Sequence, residues 1–545
     1  MIALRLLRFG LVIAICTATF AQTAEQGVRA RAGSYVPIES WIYDALDRLA
    51  SFGLIPSQIS GLRPWTRDEC RRQLLEVESN LEKLDAEGEA FQLVAALRKE
   101  FTAEPSAWTI RLNSVYTKNG FIAGPALSDS FHFGQTWIND AGRPFGRGWN
   151  SYTGFTATAE SGRFFAYIDG EYQHAPGRDP YSLPLRQAIS SLDGIPIQAA
   201  EPRSNTNRFR TLEAYAGVRL GNVELSAGKQ SLWWGPTYDA PLSFSNNAEP
   251  TKNLKISTAH PLSLWPFKGV RGEFVIGKLG GHKYTWRPWF NAVKVSFKLT
   301  DNLEMGFTRW SIFWGVGHPI TVGSFIRNFV STASPNGAGG VGSADPGDRK
   351  GGFDFRYRVP GLRNWLTLYA DSYCDDDPSP LANPRRAAIN PGIYLAHFPG
   401  IPRLDFRAEA PSTTPPDGSW DYPGLNYVNN QYRSGNTNYG YLLGSWVGRD
   451  ARALEAWSTY WFSPRDKLQF GYRHVTGSPR YLPGGSSQSD GMVRATLALG
   501  NNWSAHLFVQ YERFYIPLLG PRQSNLSGGM QITWEPKLEL RGAQQ

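Results

Sequence analysis

The chain runs to 545 residues, too long for one ordinary soluble domain unless it forms a large β architecture. A mean hydropathy of −0.36 argues against a helical membrane protein but not against a transmembrane barrel, whose strands are apolar on one face only. The net charge of +9 and pI near 9.3 favour an acidic partner. Arg and Lys are scattered through strand-like segments rather than gathered in one block, which argues against nucleic acid.

Residues 1–21 read as a secretory signal. Arg5 and Arg8 form the charged start, and Phe9 to Phe20 an apolar core of about 12 residues, too short to span a bilayer. Thr19 and Ala21 supply the small residues of a cleavage site. Ile15 is too bulky for a lipoprotein signal at Cys16, so ordinary cleavage after Ala21 is expected. No later run approaches the ~18 apolar residues of a membrane helix. An exported chain of this kind is periplasmic, secreted or an outer-membrane barrel. Cys70 and Cys374 fall in regions of different texture, which predicts two buried thiols in place of a disulfide.

Residues 34–104 carry helical periodicity. Ser40 caps a predicted helix bearing Ile42, Leu46 and Leu49, which Gly53 ends. Thr66 and Glu69 make a capping box for a second helix, with Cys70, Leu74, Val77, Leu81 and Leu84 as its stripe. A third, about Glu87 to Phe101, offers Phe91, Val94, Leu97 and Phe101. Three short helices with one apolar face each must bury it together or against the rest of the chain, as a packing module at the periplasmic end.

From Trp108 the period becomes two, through about residue 540. Trp108, Ile110 and Leu112 alternate with Thr109, Arg111 and Asn113. The same pattern recurs around Phe164–Tyr172, Leu212–Leu220, Trp289–Leu299, Phe353–Val359, Leu468–Tyr472 and Trp503–Tyr511. Segments of roughly ten residues with one apolar and one polar face are the transmembrane barrel pattern, and the length allows roughly 16–18 strands. Short turns such as Gly221-Asn222 and Asp301-Asn302 are expected on the periplasmic side. The stretches 174–207, 328–351, 374–401 and 409–438 are expected to face outward. Trp149, Trp265, Trp310, Trp461 and Trp534 are placed to form girdles.

One stretch interrupts this pattern, GKQSLWWGPTYDAPLSFSNNAEP at residues 228–250. Gly-Pro ends a strand abruptly, because proline removes a ladder donor and glycine admits unusual φ. Trp233 and Trp234 read either as interfacial aromatics at a strand end or as a sugar-stacking platform, with Asn246 and Asn247 ready to bond hydroxyls. A second set of candidates comes from the expected outward loops. Tyr394, Trp420, Tyr422, Tyr427 and Tyr432 lie there among Asn429, Asn430, Asn436 and Asn438, with Arg403, Arg407 and Arg433 to bind hydroxyls and carboxylates.

The 228–250 stretch resembles the signature of the Wzi-like capsule assembly proteins. Further similarity lies in SYVPIESWIYDALDRLASFGLIP and GLRPWTRDECRRQL near the N-terminus, MGFTRWSIFWGVGHPITVGSF (305–325) and YRSGNTNYGYLLGSWVGRDARALEAW (432–457). The resemblance implies an outer-membrane barrel that binds capsular or exopolysaccharide non-enzymatically. The end of the chain departs from the barrel pattern, since Leu540–Gln545 lacks a terminal aromatic; the insertion signal is then expected near Met530–Trp534.

The sequence holds no His-Glu-x-x-His, no Cys-x-x-Cys and no Gly-x-Ser-x-Gly, and its eight histidines are spread singly. Asp371 and Asp375-Asp376-Asp377 offer oxygen ligands but read better as a solvated acidic loop. Gly337–Gly342 lacks the Lys-Ser/Thr of a phosphate loop. The expectation is therefore a mainly β protein, a large antiparallel transmembrane β-barrel with a small N-terminal α-helical module. No cofactor or metal is expected. The expected partners are an acidic polysaccharide, outer-membrane lipids and the barrel-assembly machinery. A porin or substrate-specific channel is the alternative, and an outer-membrane hydrolase a further one.

Overall fold

The computed structural model describes residues 33–81, 88–101, 107–330, 347–362, 365–375, 379–398, 400–416, 426–500, 502–536 and 538–542. The signal segment, Leu84, the Gly337–Gly342 run, Asp376, Asp377, Trp420, Tyr422 and the last three residues lie outside them.

Eighteen antiparallel strands close into a barrel in which each strand pairs with its neighbours in sequence. They are β1 (Trp108–Ile122), β2 (Gly148–Ser161), β3 (Phe164–Ala175), β4 (Thr206–Leu220), β5 (Val223–Gln230) and β6 (Thr251–Thr258), then β7 (Phe267–Lys278), β8 (Trp289–Lys298), β9 (Leu303–Phe313), β10 (Asp348–Arg358), β11 (Leu366–Asp375) and β12 (Ala388–Leu395). The circuit finishes with β13 (Leu404–Glu409), β14 (Ala451–Trp461), β15 (Lys467–Gly477), β16 (Ser486–Ala498), β17 (Trp503–Tyr515) and β18 (Gln523–Trp534). The seam closes where β18 pairs with β1, from Val115↔Trp534 to Ile122↔Ser527, and Leu538–Arg541 extends it along Thr109–Leu112. Closure leaves no unpaired edge.

The two-residue period sorts the faces. Leu254, Ile256, Phe307, Phe470, Tyr472, Leu507, Val509 and Tyr511 are exposed on the outer wall, while Lys255, Glu273, Lys294, Asp354, Glu455, Arg473 and Asp490 are buried in the lumen. Such an apolar outer face suits lipid. Trp149 and Trp265 are exposed at strand ends, as a girdle requires. Trp310 and Trp461 are not girdle residues. Trp310 is fully buried among Phe244, Phe290 and Ile312, and Trp461 lies under Arg48, 4.8 Å from ring centroid to guanidinium carbon. Trp310 faces a part of the lumen that is itself apolar, and Trp461 is held inward by Arg48 and Asp405, so alternation no longer marks the outside at either.

Short turns gather at one end of the barrel, for example at Gly162, Gly221 and residues 299–302, and long loops at the other. Residues 388–395 and 404–409, expected partly as outward loop, form strands; the turn between them lies at the short-turn end. Three helices pack at that same end: α1 (Trp41–Ser51), α2 (Arg67–Leu81) and α3 (Glu89–Phe101). Ser40 Oγ accepts from Ile42 N at 3.4 Å, and Thr66 Oγ1 from Glu69 N at 3.2 Å. The return half of the capping box is not made; Glu69 instead holds Arg72 and His260. The helices share one core of Leu46, Leu49, Cys70, Leu74, Val77, Leu93, Val94 and Leu97. Phe91, expected on the stripe, is exposed, and Leu93 takes the buried place.

The module is bonded to the barrel wall. Arg48 donates to Asp405 of β13 at 2.9 Å and pairs with Glu89 of α3. Arg356 of β10 reaches Gln58 at 2.9 Å, and Asp44 pairs with Lys467 of β15. Cys70 in α2 and Cys374 in β11 are both buried thiols.

Candidate functional site

The signature stretch leaves the wall where β5 ends. Residues 231–250 turn into the lumen, and Pro236, Pro241 and Pro250 deny ladder donors along the way. Inside, Trp233 and Trp234 pair with Arg63 and Leu62, which rise from the short-turn end, to form a two-residue ribbon near the barrel's centre. Gly235 N donates to Gly61 O at 3.0 Å. The Trp234 indole donates to Glu273 Oε1 of β7 at 2.8 Å and packs edge-on against Phe244. Asp371 Oδ2 of β11 accepts from Leu242 N at 2.7 Å, and Glu409 of β13 accepts from Tyr238 N at 2.5 Å as well as from Tyr369 and Asn390 of the wall. Carboxylates on the inner wall thus tie the loop by its own amides.

A second loop, on residues 426–450, lies against the first. Tyr427 OH donates to Leu242 O at 2.8 Å, and Ser245 N to Leu443 O at 2.7 Å. Asn247 Nδ2 donates to Leu442 O at 3.3 Å, while its Oδ1 accepts from Asn139 N. Asn246 Nδ2 faces Glu39 Oε1 at 3.4 Å. Together these segments fill the lumen with a core that includes Trp234, Phe244, Trp310, Tyr373, Tyr427 and Tyr432. A cavity of ≈ 30 Å³ beside His132, Trp446 and Arg449 has room for one or two water molecules.

The residues singled out in the sequence therefore divide. Trp233, Trp234, Asn246, Asn247 and Tyr427 come together, but all are buried and none turns a ring or amide to solvent. Arg407 is held inside the lumen between the rings of Tyr238 and Tyr394, at 4.3 and 3.9 Å. Arg403 lies in the turn after β12, at the short-turn end and away from the long loops. Arg433 is the exception. It is partly exposed at the long-loop end, where it donates to Asn430 O and to Asp193 O at the end of helix α4 (Leu183–Asp193).

The exposed long-loop surface uses residues that sequence reasoning passed over. Two loops, 279–288 and 431–439, are joined by Gly280 N to Asn438 Oδ1 at 2.7 Å, Tyr439 N to Gly280 O at 2.9 Å and Thr285 Oγ1 to Gln431 O at 3.2 Å. His282 Nε2 donates to Thr437 O at 2.9 Å; burial holds this imidazole near a pKa of about 4, so it stays neutral. On this base Tyr439 is 53% exposed and Trp286 52%, with the Arg287 guanidinium 4.0 Å over the Trp286 ring. Lys283 reaches Gln198 Oε1, and Gln198 donates to Tyr284 OH at 2.6 Å. Flat rings beside amides and cations suit saccharide faces, hydroxyls and carboxylates. In the sequence the base is marked by the Gly280-Gly281 pair, and in the structure a Cβ at Gly280 would sit 2.4 Å from the Tyr439 ring. Among the described residues, no cluster of three His, Cys, Asp or Glu side chains is placed to hold a metal ion.

The sequence profile of the family "Capsule assembly protein Wzi" matches residues 117–526. The chain belongs to this Wzi family. It is an outer-membrane β-barrel, and the matched span covers the wall from within β1 to within β18. Among solved structures, the Wzi barrel of Escherichia coli superposes with a TM-score of 0.67 at 16% identity, over 93% of this chain and all of that one. That protein is described as a carbohydrate-binding outer-membrane β-barrel involved in group 1 capsule assembly. A curated relative, an uncharacterised 55.8 kDa protein in the cps region of Klebsiella pneumoniae, is 26% identical over 40% of this chain. This chain spans 43% of that relative's length. OprD of Pseudomonas aeruginosa aligns at 10% identity and a TM-score of 0.41, over 81% of this chain and 96% of that one. In this Wzi-family barrel the signature thus specifies a plug, and the plug carries the exposed loop surface above it.

Proposed function

We propose that this protein binds capsular or exopolysaccharide at the cell surface without chemically altering it, and so helps hold the polymer on the cell. The observation that carries the reading is a Wzi-family barrel whose lumen is packed with side chains while its long-loop end presents exposed rings among amides and cations. Tyr439 and Trp286 would give apolar contact to sugar faces. Arg287, Lys283 and Arg433 would meet the carboxylates of an acidic polymer, in keeping with the chain's net charge of +9. Repetition along the polymer lets weak contacts add, so single substitutions would be masked.

The test is a strain carrying Trp286→Ala, Tyr439→Ala and Arg433→Ala together, scored for cell-bound against released polysaccharide. Insertion of the barrel is verified by its faster migration when unboiled. Release of polymer from cells with an inserted triple variant is the expected result. Retention equal to wild type removes this surface from the function, and retention by a complete deletion strain removes the function itself.

A further inference from the structure

The outer wall carries one charge pattern that the polysaccharide reading does not use. On two adjacent strands the lipid-facing residues run apolar and then end in an exposed lysine toward the long-loop rim: Ile256, Leu254 and Lys252 on β6, and Phe274, Ile276 and Lys278 on β7. Lys229 of β5, after Leu225 and Ala227, continues the register but is buried, its Nζ donating to Thr211 O. The three lysines stand in register, Lys229↔Lys252 and Lys252↔Lys278, and Lys278 is in turn opposite Trp289 of β8. Like charges directly opposite one another destabilise a sheet. Lys229 is compensated by Glu249. Lys252 is exposed and makes no hydrogen bond or ion pair among the described residues, and Lys278 Nζ lies over the Trp289 ring, 4.7 Å from its centroid.

Beside this row lies helix α5 (Val322–Val330), on the outside of the barrel. Asn328 is buried against the wall, where its Oδ1 accepts from Asn291 Nδ2 at 2.7 Å and Ser311 Oγ at 2.6 Å. Phe329 packs on Phe274 of β7, two same-face positions below Lys278. Away from the barrel the helix exposes Val322 and Ile326 beside Arg327, and Val316 and Ile320 are exposed in the segment that leads into it. An amphipathic helix with such a face lies at a membrane interface.

We infer that Lys252 and Lys278, with α5 alongside, bind the phosphorylated headgroup of a glycolipid in the outer leaflet. The row stands where the apolar band of the wall ends, which is the level of the headgroups. Ammonium groups about 5 Å apart at their Cβ atoms match one phosphate between them. The apolar face of α5 lies where the acyl chains of the same lipid would run.

The test uses the purified full-length barrel in neutral detergent, titrated with bisphosphorylated lipid A. Dephosphorylated lipid A, phosphatidylglycerol and inorganic phosphate serve as separate arms. Wild type should bind the bisphosphorylated lipid at least tenfold more tightly than any other arm. Lys252→Gln should weaken that binding about fivefold, and the Lys252→Gln, Lys278→Gln pair about 25-fold, at roughly one headgroup interaction per lysine. Lys252→Arg should retain it, and Arg452→Gln, on the outer face of β14, should leave it unchanged. Equal binding of dephosphorylated lipid A or of phosphatidylglycerol would overturn the glycolipid assignment. Equal binding of inorganic phosphate would place the affinity in a free-anion site, and an unaffected double variant would discard the lysine row.

Discussion

Gly235 shows how a single position fixes the plug. Its φ is +138°, and a Cβ there would meet Asp371 Oδ2 at 2.9 Å. Gly235→Ala should therefore cost about 1–3 kcal/mol, read as a lower temperature at which the unboiled form is lost. Two histidines do comparable work by charge. His132, in the loop after β1, has Asp129 Oδ1 at 3.0 Å from Nδ1 and Asp193 Oδ2 at 2.8 Å from Nε2. Only the imidazolium donates to both. Burial pulls its pKa down, but the Asp129 charge and both hydrogen bonds outweigh burial and raise it to about 9. Burial likewise pushes Asp129 up, yet the His132 charge brings it to about 2. The folded histidine is thus raised above the ordinary value, so its contribution is complete below roughly pH 6.5 and lost as pH rises through about 9. The aspartate contribution is complete above roughly pH 4 and lost as pH falls through about 2. Protection of the amides in residues 127–136 and 185–193, read as exchange relative to the unstructured rate at the same pH, should be greatest between these limits and should fall above pH 9. His132→Gln should remove the alkaline step, at about 3 kcal/mol of the loop clasp. His260 is held in the same way at the other end, between Asp68 and Glu69 of α2.

At the scale of elements, Arg48 decides whether the helices stay docked. Its side chain is almost fully buried, joins α1 to α3 through Glu89 and reaches the wall at Asp405. Arg48→Ala strands a buried carboxylate that keeps only Trp461 Nε1 at 2.8 Å and a long contact to Tyr394. That should cost about 3–5 kcal/mol and make residues 33–101 accessible to protease while the wall persists. Unchanged protease resistance would show that the docking rests elsewhere. The helices themselves were legible in the sequence, because caps at Ser40 and Thr66 and a 3.6-residue stripe are local signals. Which face of α3 buries was less so, since Phe91 and Leu93 compete and the packing of neighbouring helices decides. Seven strands, among them β1, β3, β4 and β17, declared themselves by alternation. β12 and β13 did not, being only 8 and 6 residues long and interrupted by Pro391. The site was least legible. Trp233-Trp234 identified the family and the place where the chain leaves the wall, but nothing local told that the lumen would close over both rings. An interior made apolar by its own plug also turned Trp310 inward, against the rule used to read the outside.

For the whole molecule, the filled lumen bears on the porin alternative. Aromatic and aliphatic side chains from the loops, Leu62 and the inner wall occupy the barrel's middle, and α1–α3 cover its short-turn end. In planar bilayers the purified protein should conduct far less than an open porin of equal strand number. A variant lacking residues 33–104 should conduct measurably more. Full-sized porin steps from wild type would contradict the packing described here.

The two-residue ribbon joins parts of the chain that lie far apart in sequence. Leu62–Arg63 precede every barrel strand in the chain, whereas Trp233–Trp234 belong to the loop after β5. The ribbon therefore couples the docked N-terminal segment to the loop that fills the lumen, and neither leaves the barrel's centre without breaking the other's pairing. A lumen filled this way has no gate that can open without dismantling part of its own centre.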